Sequence, residues 1–159
     1  MRPDTSGRLV SRSVGLRCRK GVSKTLDRVL LTVLGVVAGF TGVWAYVAPR
    51  SWYENFPGLG LSWLPQLGPY NEHYCKDTGA MFLALLVLSV VAIVSVNNRT
   101  VVKIAAGAWL TFNVLHFVCH VTMLQVYNTR DAVLNVIFLS LLVLISAALL
   151  IPDRANKQA

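Results

Sequence analysis

Residues 29–48 read VLLTVLGVVAGFTGVWAYVA, a run without a single charged side chain. At a rise of about 1.5 Å per residue, twenty helical residues span about 30 Å, the thickness of a bilayer's hydrocarbon core. The run has no polar face, so as a helix it calls for apolar surroundings on every side. A secretory signal peptide is the competing reading. The run is longer than a usual signal core, and bulky Tyr46 would occupy the −3 site of any cut after Ala48. The expectation is therefore an uncleaved transmembrane helix over Val29–Ala48.

Three more runs of this kind follow, over Gly79–Val96, Ile104–Leu124 and Ala132–Ile151. The turn NNRTVVK (97–103) separates the second from the third, and QVYNTRD (125–131) precedes the fourth. Pro152, which cannot continue the helix ladder, is the expected stop. The 159-residue chain is 55% hydrophobic and only 14% charged, with a mean hydropathy of +0.57. Typical soluble domains carry about 25% charged residues. The expected fold is all-α: an integral membrane four-helix bundle over 29–151, preceded by a basic, mostly disordered tail (1–28) and followed by a polar C-tail (152–159).

The net charge of +8 reflects placement. Eight Lys and Arg side chains, from Arg2 to Arg28, precede the first apolar run. This tail has no interleaved aromatics and no folded reader motif, so nucleic acid is not an expected partner. It suits anionic lipid headgroups instead. With the N-terminus inside, the inner segments hold twelve Lys and Arg and the outer ones three, Arg50, Lys76 and Arg130. The positive-inside rule then puts both termini in the cytoplasm, with the protein in the plasma membrane.

Residues 49–78, PRSWYENFPGLGLSWLPQLGPYNEHYCKDT, become a long outer loop between the first two spans. Its Trp, Tyr and Phe side chains suit the headgroup level, and Pro57, Pro65 and Pro69 break any long helix. The topology also collects polar residues at one depth. In NVLHFVCHVTML (113–124), Asn113, His116 and His120 share a helical face. Glu72, His73 and Asp77 stand at the mouth of the second span, with His73 and Asp77 one turn apart. Asn135 lies one turn into the fourth. Polar side chains in hydrocarbon turn to the bundle interior and pair. The expectation is a polar pocket in the outer leaflet, made by these residues of three helices.

Such a pocket reads three ways: interhelical hydrogen bonding, a ligand or proton site, or a metal or haem site. His73, His116 and His120 are the candidate metal ligands. His116 and His120 form an i, i+4 pair without the glutamate of a zinc hydrolase, and no C-x-x-C-H haem attachment is present. The three cysteines, Cys18, Cys75 and Cys119, give no disulfide framework, though a Cys75–Cys119 bridge stays open. No phosphate loop or nucleophile elbow occurs. Gly35, Gly39 and Gly42 form a small-residue stripe suited to close helix packing.

The stretches GPYNEHYCKDTGAMFLALLVL (68–88), PRSWYENFPGLG (49–60) and AWLTFNVLHFVCHVTML (108–124), with the four short spans, resemble the DoxX-like small four-helix membrane proteins of actinobacteria. The resemblance covers residues 29–151. It implies the fold and, more loosely, an accessory subunit associated with a membrane redox or respiratory complex. The residues themselves leave two alternatives: a small membrane enzyme or quinone or lipid-ligand binder using the His/Asp site, and a metal- or haem-binding membrane protein. The expected partners are the lipid bilayer and other membrane-protein subunits, and the cofactors in question are a quinone, a haem or a metal. Four helices without an internal repeat make a poor alternating-access scaffold, which puts transport last.

Overall fold

The computed structural model describes the backbone of residues 6–151 and the side chains of residues 24–151. Pro152 and the C-tail lie outside the described residues. The elements in order are α1 (Ser6–Val47), α2 (Pro49–Asn55), β1 (Pro57–Gly58), β2 (Leu61–Ser62), α3 (Glu72–Val94), α4 (Arg99–Val121) and α5 (Thr129–Ala148). Among the described residues, four helices are long and apolar enough to cross a membrane: the Lys24–Val47 part of α1, and all of α3, α4 and α5.

Helix starts differ from the apolar runs for a local reason. α3, α4 and α5 each follow an asparagine whose side chain caps the first turn. Asn71 accepts from the Tyr74 backbone N–H at 3.1 Å, Asn98 from Thr100 at 3.1 Å and Asn128 from Asp131 at 2.9 Å. Such caps satisfy N–H groups that the helix leaves unpaired, so each helix begins in polar sequence ahead of its apolar run. α1 likewise starts well before Val29. Composition points to a mostly disordered tail, yet helical backbone runs through residues 6–28. Arg and Lys are good helix formers, and extending an existing helix avoids the cost of nucleation.

α1 carries two apolar stripes. Leu31, Leu34, Ala38 and Ala45 are buried, while Val29, Val33, Val36, Phe40, Val43 and Val47 are exposed on the other side. α5 exposes Val133, Ile137, Phe138, Leu141 and Leu144 in the same way. Helices apolar all round in a bundle this small need a hydrocarbon solvent.

α1 and α3 approach each other closely. Gly35 and Gly39 face Leu86, and Gly42 lies against the Leu83 backbone N and the Gly79 carbonyl. A Cβ on Gly79 would sit 2.7 Å from the Tyr46 backbone N, so only glycine permits this approach. The small-residue stripe of α1 thus packs helices, as expected.

Most of the core lies toward the end that holds the α3–α4 turn. Trp109, fully buried, donates from Nε1 to Ser89 Oγ at 2.9 Å, and Ser89 Oγ donates to the Leu85 carbonyl at 2.8 Å. Around it pack Leu31, Leu34, Val102, Ala106 and Leu149. At that same end, Arg99 Nη1 donates to Asp27 Oδ2 at 3.0 Å. Its Nη2 donates to the carbonyls of Leu149 at 2.7 Å and Ile151 at 2.6 Å. One guanidinium therefore ties α1, α4 and the C-terminal end of α5 together. It also answers the unpaired carbonyls there, which a cation suits.

The opposite end is roofed by the segment between α1 and α3. α2 leads into a small hairpin in which Pro57 pairs with Ser62 and Gly58 with Leu61. Gly58 and Gly60 take positive φ at its tip. Tyr53 Oη donates to the Gly68 carbonyl at 2.6 Å, and Trp63 stacks edge-on against Phe138 of α5. The segment is a folded cap.

Candidate functional site

Beneath this cap, between α3 and α4, lies a cleft of about 760 Å³. The walls are mostly apolar: Phe82 and Met81 from α3, Phe112 from α4, Met123 beyond it, and Trp52 and Leu64 from the cap. Cys75, Asp77 and Thr78 enter from the first turns of α3, and His116, Cys119 and His120 from the last turns of α4. Met81 and Tyr74 are exposed, so α3 presents part of the lining on the outer surface of the bundle. A volume of this order falls in the range of small-molecule sites, about 300–1,000 Å³.

The two histidines are held by stacking. The His116 ring lies nearly parallel to Phe112, with centroids 5.2 Å apart and 16° between planes. His120 meets His116 edge-on at 4.5 Å. Phe112 in turn packs edge-on against Phe82 of α3 at 5.2 Å, which fixes the whole row. His120 Nδ1 is buried and has no hydrogen-bond partner among the described residues. Trp52 Nε1, on the cap side, is also buried and unpartnered. An unmet buried donor or acceptor costs about 1–3 kcal/mol, so two on residues lining one cleft are notable.

The expected pocket residues part into three groups. His116, His120 and Asp77 line the cleft. Glu72 and His73 stand outside it, on the surface of α3: Glu72 pairs with Lys76 at 2.7 Å, and His73 with Asp77 at 3.2 Å. The His73 side chain is 86% exposed. Asn113 and Asn135 are buried elsewhere. Asn113 Nδ2 donates to Ser146 Oγ at 2.9 Å and to the Leu142 carbonyl at 3.2 Å, which makes it a tie between α4 and α5. Asn135, on α5, keeps an unpartnered buried Oδ1.

The metal candidates do not assemble. His73 is absent from the cleft that His116 and His120 share, and among the described residues no group of three or more His, Cys, Asp or Glu comes together to hold an ion. Cys75 and Cys119 both line the cleft as free thiols, Cys75 buried and Cys119 exposed.

Next to the cleft end, Asp131 is anchored by Asn128 at 2.8 Å and Arg130 at 3.2 Å. Tyr127, in the turn before α5, has a buried and unpartnered hydroxyl. Burial first, and then the Asp131 carboxylate, push its pKa up to about 12, so it stays a neutral phenol at any ordinary pH.

No sequence pattern marks Trp52, Phe112 or Met81 as lining residues. Their presence in the cleft depends on how the cap folds back and on which face of α3 turns to α4. Comparison with known protein families, curated proteins and solved structures finds no match.

Proposed function

We propose that this protein binds a lipid-soluble, amphiphilic small molecule in the cleft between α3 and α4. The observation that carries this is the pairing of an apolar, aromatic cleft with two adjacent histidines whose side chains make no hydrogen bond among the described residues. A hydrocarbon tail would rest on Phe82, Phe112 and Met81, and a polar head would meet His116 and His120. Such sites combine mostly apolar walls with a few placed polar groups. The ligand would reach the cleft sideways through the membrane. The twelve-to-three distribution of basic residues supports an outer-leaflet position in the plasma membrane, with both termini cytoplasmic.

A quinone is one member of the ligand class. A metal ion is less well supported, because among the described residues no third ligand gathers beside the two imidazoles. A haem held by two histidines is less well supported because His116 and His120 lie one turn apart on one helix and would not flank an iron from opposite faces. The accessory-subunit role rests on the DoxX-like stretches alone. The exposed apolar stripes suit lipid as well as a partner subunit, and so support neither over the other.

The test is to purify the protein in mild detergent, extract it with organic solvent and identify small molecules by mass spectrometry. The expected result is a stoichiometric amphiphile present in the wild type and absent from a folded His116→Ala/His120→Ala variant. Equal small-molecule content in both proteins would overturn the proposal.

A further inference from the structure

The charges around the cleft point to the sign of its ligand. Four carboxylates lie at the capped end among the described residues, and three have a Lys or Arg partner. Glu54 pairs with Arg50 at 2.9 Å, Glu72 with Lys76 at 2.7 Å and Asp131 with Arg130 at 3.2 Å. The fourth, Asp77, has only His73 at 3.2 Å, an imidazole that carries charge only when protonated. Among the described residues, Asp77 is the one carboxylate that lines the cleft, and no Lys or Arg lines it. Aromatic rings surround the same space: Trp52 and Tyr53 from the cap, Tyr74 and Phe82 from α3, and Phe112 from α4.

A carboxylate together with the electron-rich faces of aromatic rings attracts cations. An anionic head would meet no cationic side chain among the described residues, and the α4 end in the cleft is its C-terminus, where the helix dipole is negative. The first turn of α3 also reaches the cleft, but there Asn71 already accepts from the Tyr74 N–H and the Asp77 carboxylate stands against an anion. We propose that the cleft selects lipophilic cations, such as quaternary ammonium or phosphonium compounds and protonated amines with large apolar groups, over anions of the same shape. This rests on the cleft being the binding site and adds the charge of what it takes.

The experiment is equilibrium dialysis of the full-length protein in zwitterionic-lipid nanodiscs, with protein-free nanodiscs subtracted. Three probes of similar shape are compared: tetraphenylphosphonium, tetraphenylborate and neutral triphenylphosphine oxide. Saturable binding is expected for the phosphonium, and none for the borate. Asp77→Asn, at a side chain 66% exposed, should fold normally and weaken phosphonium binding about threefold to fivefold, leaving the neutral probe unchanged. Tyr74→Leu, at the exposed rim, should weaken the cation about threefold.

Borate binding as tight as phosphonium, or indifference to Asp77→Asn, would overturn the charge selection. If the neutral probe still binds in a His116-dependent manner, the proposed binding function survives that result. If no probe binds saturably, both proposals fall.

Discussion

The two ends of the bundle solve the same problem differently. At the Arg99 end, charged and polar groups are matched: a buried carboxylate, a guanidinium and two helix-terminal carbonyls close on one another. At the capped end, buried polar atoms are left over, on Trp52, Trp63, His120 and Tyr127. The core cluster is large at the first end, whereas the cluster beneath the cap holds only Ala45, Trp52 and Cys75. In a chain with so little apolar contrast between inside and outside, the matched end sets the arrangement of the helices. The unmatched end is then free to carry a space.

If that division is right, the largest effect on stability comes from Arg99→Ala. It removes the guanidinium from the Asp27 carboxylate, whose side chain is only 12% exposed, and from two carbonyls. Breaking a buried pair in this way costs about 3 kcal/mol, read as a lower unfolding midpoint in detergent. Asp27→Asn together with Arg99→Ala should recover part of the loss, because no uncompensated charge remains. An unchanged midpoint for Arg99→Ala would break the comparison.

Gly79→Ala sharpens it from the seam between the ends. The new Cβ would lie 2.7 Å from the Tyr46 backbone N and 3.0 Å from the Gly42 carbonyl, so backbone must move. The cost should be about 2 kcal/mol, and the shift of α1 against α3 should appear as a loss of crosslinking between cysteines placed across the seam.

The smallest effect belongs to Tyr127→Phe. The hydroxyl is buried without a partner, so its removal should be neutral or slightly stabilising. The sign of the pH dependence follows from the raised pKa. The folded protein holds the Tyr127 proton more tightly than the unfolded chain, so stability is unaffected by this group below the ordinary tyrosine range and falls as pH rises from there towards about 12. Tyr127→Phe should therefore flatten the alkaline limb of a stability-against-pH curve, and an unchanged limb would assign that limb to other groups.

Much of the fold was legible in the sequence because apolar runs of membrane-spanning length have few alternative readings. The Gly35/Gly39/Gly42 stripe was readable for the same reason, since small residues at helical spacing have little other use in a membrane helix. Hydropathy alone does not locate the helix starts after Asn71, Asn98 and Asn128, although each cap is an ordinary sequence signal. The site was only partly legible. A stripe such as Asn113, His116 and His120 shows which residues share a face but not which neighbours divide it. Asn113 turned to Ser146 of α5, while His116 and His120 turned to the cleft. The Arg99–Asp27 pair was out of reach, because Asp27 falls in the polar tail and its partner lies 72 residues away.

The most direct test of the division between the ends is the amount of small molecule retained per folded protein after detergent purification, in the wild type, Arg99→Ala and His116→Ala. His116 stacks on Phe112 and makes no hydrogen bond to the chain among the described residues, so its loss should cost about 1 kcal/mol or less and leave a folded bundle. The expected result is that Arg99→Ala, though less stable, keeps its ligand, and His116→Ala, though folded, loses it. Ligand retained by His116→Ala and lost from Arg99→Ala would contradict the assignment of one end to structure and the other to binding.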